Sequence, residues 1–322
     1  MMNCNYCEWR CDLSSGKSVC GRYKEENGTI VEKEPFSWIE FYPYTIESMP
    51  FYHVMPGEYV IQTGTVSCNA RCDYCINSHL AIKEDEERTL RYRDPESLVK
   101  LAKQMNAKGY VFALNEITCF MPSAMEAADV LHKAGLKVGC LTNGYQTEEC
   151  ARQLASTADF INVSLKSLSD AFYQENLGLK SVKPVLRNIK IFNENAHLEI
   201  VTPLVHEILD GEIYEIADFL HDVNPGIVWH LFRLMPTHER SHERDISHND
   251  MLKIYERVKE KLPYTYLGNF AGSRWVDTIC PACGNLLIKR IATGAWLGHT
   301  VNNNLTEDGC CPQCGRKIPM IL

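Results

Sequence analysis

YVIQTGTVSCNARCDYCIN, residues 59–77, joins two readings that decide the fold. Its first seven residues, YVIQTGT, are a largely β-branched and aromatic run of strand length. The loop after it carries Cys68, Cys72 and Cys75 in a C-x3-C-x2-C spacing. Three thiolates so spaced wrap a [4Fe–4S] cube and ligate three of its irons, leaving the fourth open to another ligand. An open position separates a reactive metal centre from a structural one. The competing reading is a structural metal site, but zinc knuckles usually come as two C-x2-C pairs.

Outward from this loop, the chain alternates strand-like and amphipathic runs. Strands are expected at 59–65, 110–115, 137–143, 160–166, 198–204 and 228–235. Helices are expected near 95–107, 122–134, 147–156, 183–195, 211–222 and 248–260, with caps at Asp94-Pro95 and Asp210. Strict alternation over six units implies a parallel sheet with helices outside it. Six units are too few for a closed (β/α)8 barrel, so the fold expected is α/β, a partial (β/α)6 barrel with its chemistry at the C-terminal strand ends. Periodicity alone is also compatible with an open doubly wound sheet. Small Cys-rich metal-binding segments flank this core, giving the division 1–57, 58–262 and 263–322.

The bulk properties exclude some function classes. Lys and Arg total 33 against 41 Asp and Glu, a net charge of −8, which argues against a nucleic-acid partner held on a broad basic surface. No apolar run approaches the roughly 18 residues that would span a bilayer, so no membrane role is expected. MMNCNYCEWR, residues 1–10, has charge and cysteine where a secretory signal is apolar, so the expected location is the cytoplasm. Twelve of the 15 cysteines fall in three tight groups, which reads as metal ligation rather than disulfides. The lone Cys119, Cys140 and Cys150 read as small buried apolar residues.

The loop, with Tyr74 before its last cysteine, resembles the C-x3-C-x-aromatic-C motif of radical S-adenosylmethionine (SAM) enzymes. That resemblance implies a [4Fe–4S] cluster whose open iron is chelated by SAM. One electron, from a donor such as a ferredoxin or flavodoxin, then cleaves SAM to a 5′-deoxyadenosyl radical. The radical abstracts hydrogen from a protein or small molecule. Further resemblances follow in chain order. Asn115-Glu116 stands where the family has its GGE segment for the SAM amino group, without the two glycines. Thr142-Asn143 resembles a SAM-facing turn. Ser164 and Lys166 resemble the D-x-K segment, with serine for the aspartate. His230 and Arg233 on the last strand are candidates for the SAM carboxylate or a substrate, or else a buried ion pair.

MPFYHVMPG (49–57), TNGY (142–145), WHLFR (229–233) and the outer cysteines are similar, in this order, to the pyruvate formate-lyase activating enzyme-like proteins of the AmmeMemoRadiSam system. The alternative within the superfamily is a methyltransferase or another protein-modifying maturase. Cys4, Cys7, Cys11 and Cys20 could close one four-cysteine site, holding zinc, iron or an iron–sulfur cluster. Cys280, Cys283, Cys311 and Cys314, in CPACG and CPQCG, read as a zinc-ribbon or rubredoxin-like site for zinc or one iron, with Cys310 spare. Both sets are open to two readings, a structural staple or an auxiliary redox centre. THERSHERDISH, 237–248, reads as an exposed charged loop rather than a metal box.

Overall fold

The structure, a computed structural model, describes residues 2–82, 90–209, 211–272, 274–293 and 298–322. The chain opens with a hairpin of β1 (Tyr23–Glu26) and β2 (Thr29–Glu32). Its turn residues Asn27 and Gly28 both have positive φ, the conformation an Asn-Gly pair adopts most easily. A long strand, β3 (Ser37–Thr45), follows. Then come β4 (Tyr59–Gly64), the two-residue β5 (Arg91–Tyr92), β6 (Gly109–Phe112), β7 (Lys137–Thr142), β8 (Phe160–Ser164), β9 (His197–Leu204), β10 (Val228–Arg233) and β11 (Thr265–Gly268). These nine form one sheet in the order β11-β10-β9-β8-β7-β6-β4-β3-β5. From β4 to β11, leaving out β5, all neighbours are parallel, while β3 runs antiparallel to β4 and to β5. The sheet is open, with β11 and β5 at its edges, and it extends past residues 58–262 at both ends.

Helices connect the parallel strands. They are the short α1 (Ser78–Ala81), α2 (Pro95–Gln104), α3 (Met121–Lys133), α4 (Glu148–Thr157), α5 (Asp170–Leu177), α6 (Lys183–Asn195), the short α7 (His206–Leu209), α8 (Glu212–Val223) and α9 (His248–Lys259). Local chemistry starts several of them. Asp94 accepts from Ser97 N at 2.8 Å ahead of Pro95, and Thr147 Oγ1 accepts from Cys150 N at 3.2 Å. Asp210 lies outside the described residues, and the residue before α8 is Gly211.

The two faces of the sheet have different partners because strand side chains alternate. Ile61, Tyr110, Phe112, Val138, Cys140, Ile161 and Ile200 pack outward among the helices. Val60, Val111, Ala113 and Phe160 face the other way, onto Ile46, Met49, Phe51, Val54 and Met55. The segment between β3 and β4 therefore fills the inside of the sheet. Phe51 meets Phe160 of β8 edge-on at 4.7 Å, and Tyr52 lies 4.7 Å from His230 of β10 and 4.9 Å from Tyr266 of β11. Six strand spacings from β4 to β11 would span roughly 29 Å if flat. One short segment touches both ends, so the sheet curls around it.

Residues 278–322 form a small unit of β12 (Thr278–Ile279), β13 (Leu286–Ala292) and β14 (Gly298–Asn303) under the same segment. It is held by buried polar contacts. Arg290 donates to Tyr52 O and Val276 O, His53 Nδ1 donates to Pro319 O at 2.8 Å, and Val54 bridges Ile321.

Candidate active site

An open cavity lies at the C-terminal ends of the parallel strands, with Pro50 of the plugging segment among its lining residues. The cysteine loop forms one wall. Cys68, Cys72 and Cys75 all line the cavity, and all three are half-buried free thiols. Backbone N–H groups two residues on, from Ala70 and Asn77, donate to the sulfurs of Cys68 and Cys75. Burial pushes the Cys72 thiol up to about 11, so in the bare site the proton stays on sulfur and a metal must displace it.

The path into this loop is built close to the backbone. Gly64 ends β4, and a Cβ there would lie 2.1 Å from Ala113 O. Thr65 N donates to Asn115 Oδ1 at 3.0 Å, and Asn115 Nδ2 donates to Ser67 O at 2.9 Å. The Asn115 amide, a candidate cofactor contact, is thus spent on bracing the cysteine loop. Glu116 is 2% exposed and accepts four bonds, from Thr118 N, Thr142 Oγ1, Gln146 Nε2 and Asn143 N. Burial pushes its carboxyl up, against the lowering by Asn143, Thr142 and Thr118. Thr142 Oγ1 also accepts from Gly144 N at 3.1 Å. Asn143 Nδ2 reaches Asn69 Oδ1 at 2.7 Å, between two of the cysteines' neighbours. Glu116 therefore ties the ends of β6 and β7 together and still borders the cavity.

Ser164 and Lys166, after β8, line the opposite wall. Lys166 Nζ stands 5.6 Å from the ring centre of Tyr74, whose other cation neighbour is Arg240 at 5.5 Å. Arg240 corrects the reading of 237–248 as simply an exposed loop. It is 5% exposed and pairs with Asp73 at 2.9 Å, while Glu239 N donates to Asp73 O and Thr237 Oγ1 to Tyr74 O. The loop latches onto the cysteine motif from a distance no local pattern reveals. Arg233 borders the cavity, held by Asp245 at 2.9 Å and by Asn269 O.

His230 does not line the cavity. Two residues before Phe232, it lies roughly 6–7 Å further down β10. There it is 1% exposed and 2.6 Å from Glu199. Glu199 also accepts from Tyr52 N, His53 N and His197. Burial alone would raise this carboxyl, but the bonds from His197 and His230 hold it well below the usual range. The histidine belongs to the buried ion-pair alternative. Sequence reasoning missed Asn69, Arg240 and Asn269. Asn269, at positive φ just after β11, lines the cavity, and its buried Oδ1 has no hydrogen-bond partner.

Residues 63–220 match the family model of the Radical SAM superfamily. The chain carries a radical SAM domain. An uncharacterized protein of Methanocaldococcus jannaschii, MJ0808, is 25% identical over 331 residues, covering 100% of this chain and 96% of its own. Streptococcus suis SuiB bound to S-adenosylmethionine superposes with a TM-score of 0.51 at 15% identity, over 65% of this chain and 51% of that chain. SuiB bound to the precursor peptide SuiA gives 0.51 at 14% identity, over 63% and 47%. The chain thus spans about half the length of SuiB. The match places a Radical SAM superfamily domain at residues 63–220, and the superfamily implies a [4Fe–4S] cluster and SAM. The donor set fits both: three thiols at one wall of an open cavity, and an unpartnered buried acceptor, Asn269 Oδ1, among its lining. Among the described residues, no helix is long and apolar enough to cross a membrane.

The two outer cysteine sets differ in geometry. Cys280 and Cys314 lie 3.6 Å apart, as do Cys283 and Cys311, and all four sulfurs fall within 4.8 Å of one another. Sulfurs about 2.3 Å from one tetrahedral ion stand roughly 3.8 Å apart, so this is a group of single-ion size. Cys310 points to Asp308 instead. Cys4, Cys7, Cys11 and Cys20 lie beside the radical SAM cysteine loop. Ser67 Oγ donates to Cys20 O at 2.6 Å, Trp9 Nε1 to Asn69 O at 2.8 Å, and Cys7 bridges Gln146. Cys119 is fully buried, as expected, but its thiol also donates to Cys20, which draws the Cys20 thiol down to about 6.

Proposed function

We propose that Cys68, Cys72 and Cys75 ligate the [4Fe–4S] cluster, and that the enzyme uses the radical to abstract hydrogen from a protein or small-molecule substrate, as pyruvate formate-lyase activating enzyme-like proteins do. The observation that carries the reading is the convergence of the three thiols with Glu116, Asn143, Ser164 and Lys166 on one cavity at the C-terminal strand ends. When bound, the cluster and SAM supply a 5′-deoxyadenosyl radical by one-electron cleavage of the sulfonium bond. The chain's own residues position and shield. Asn115 and Asn143 fix the cysteine loop against β6 and β7. Lys166 would offer a cation to the SAM carboxylate, and the remaining acceptor capacity of Glu116 would serve the SAM ammonium. Leu114, Leu141, Val201 and Phe232 keep the reacting region apolar. An electron donor of the ferredoxin or flavodoxin class completes the reaction.

Anaerobically reconstituted protein incubated with SAM and dithionite tests this. The expected product is 5′-deoxyadenosine, lost when the three cysteines are replaced by alanine. S-adenosylhomocysteine would favour the methyltransferase reading instead. Neither product would defeat both.

A further inference from the structure

We infer that Cys4, Cys7, Cys11 and Cys20 bind a second iron–sulfur cluster, seated against the loop that carries Cys68. The expected metal count rests on the proposed central cluster, but the site itself stands on its own geometry.

Backbone N–H groups surround the sulfurs of this set. Val19 N donates to Cys11 at 3.4 Å, and the backbone N–H groups of Tyr6, Trp9 and Arg22, each two residues on, lie beside Cys4, Cys7 and Cys20. The same two-residue device serves Cys68 from Ala70 and Cys75 from Asn77, and Cys283 from Asn285 in the single-ion group. Amide bonds to sulfur stabilise thiolate and tune a metal–thiolate centre. They do little for a thiol that only fills space. The N-terminal set thus has the local build of a metal site, although Cys4 and Cys7 are 5% and 8% exposed.

Sulfur spread then sets the size of the metal group. The C-terminal four lie within 4.8 Å of one another; no three of the N-terminal sulfurs do, and neither do the central three. A single tetrahedral ion needs its sulfurs roughly 3.8 Å apart. A four-iron cube sits between its ligands and holds them roughly 6 Å apart. The N-terminal set shares with the central three a spread too wide for one tetrahedral ion.

The two sets share a wall. The Asn69 side chain bonds to Cys7, lies 3.8 Å from Cys68 Sγ through its Oδ1, and accepts from Asn143 at 2.7 Å. One amide side chain separates a ligand of one cluster from a ligand of the other. Two reduced clusters so placed interact magnetically.

The test is iron and acid-labile sulfide in anaerobically reconstituted, full-length protein, read with electron paramagnetic resonance after dithionite. Wild type is expected to hold about eight sulfides per chain, and its doubly reduced spectrum to show spin–spin broadening. Cys68/Cys72/Cys75→Ala is expected to keep about four irons and four sulfides beyond the C-terminal ion, with an unbroadened signal. If that variant holds no labile sulfide while wild type holds about four, the inference is overturned and the central cluster stands. If wild type holds about four and the variant keeps all of them, the second cluster stands and the central assignment falls. Cys4/Cys7/Cys11/Cys20→Ser supplies a separate check that does not touch the central loop: sulfide is expected to fall by half with the central signal retained, and undiminished sulfide overturns the inference.

Discussion

Glu116→Ala separates bracing from ligand contact at the active site. The change strips the acceptor from two backbone donors, Thr118 N and Asn143 N, and from the side chains of Thr142 and Gln146. A buried donor left unpaired costs roughly 1–3 kcal/mol. The side chains can turn to each other, because Gln146 already donates to Thr142 Oγ1. The two amides cannot, and water entering from the cavity recovers part of their loss, leaving about 3 kcal/mol. Unfolding entropy near 2.1 cal/mol/K per residue gives about 0.7 kcal/mol/K for this chain, so the melting point is expected to drop by about 4 °C. Asn143 also loses its anchor, and with it the brace it gives Asn69 beside Cys68. SAM affinity is therefore expected to fall roughly tenfold, the equivalent of about 1.4 kcal/mol. The assay is a thermal melt beside calorimetric SAM titration of anaerobically loaded protein. A variant that melts with wild type would refute the bracing role, whatever its affinity for SAM.

Three further outcomes are expected. Stripping metal from Cys280, Cys283, Cys311 and Cys314 should open residues 278–322 to protease while the β4–β11 sheet stays protected; simultaneous cleavage of both would count against a separate metal-held unit. His53 is driven down to about 3 by burial, with an unfolded value near 6.5, so the unfolded chain binds more protons between those limits and stability drains away as pH falls through that window. From pH 7 to 5 the loss is about 2 kcal/mol, Glu199 adds to it at lower pH because its folded carboxyl is depressed, and His53→Gln should flatten the upper part of the melting curve against pH. Gly64→Ala would set a methyl 2.1 Å from Ala113 O and 2.8 Å from Asn115 Oδ1, so it should cost about 2 kcal/mol or more and reduce iron retention; an unchanged iron content would show that the loop tolerates a wider path.

The sequence patterns that are local were readable. The six alternating units appear within a few residues of their expected bounds, because each strand and helix carries its own periodicity. β3 was not read: Pro43 interrupts its run, and its partner strand begins 14 residues after it ends. β11 is four buried residues, too short to stand out even though it follows α9 directly. The Asn27-Gly28 hairpin did carry a turn signal, but it sits in a segment read for its cysteines. At the site, spacing marked the three cysteines. The Asp73–Arg240 pair joins residues 167 apart, and such contacts leave no trace in composition. His230 shows the limit of placing a residue by strand alone: its position along β10, not its face, keeps it beneath the cavity.

The plug between β3 and β4 has a consequence for how the chain is made. Phe51, Val54 and Met55 are covered in part by a tail whose Ile321 bridges Val54, 267 residues later. A ribosome adding roughly 5–20 residues per second needs about 13–53 s to supply that cover. During this interval the apolar segment has the inner face of the growing sheet as its shelter and nothing beneath it. Stalled chains ending near residue 290 are expected to be cut by protease at 49–57, and finished chains to resist; equal resistance in both would show that the sheet alone shields the plug.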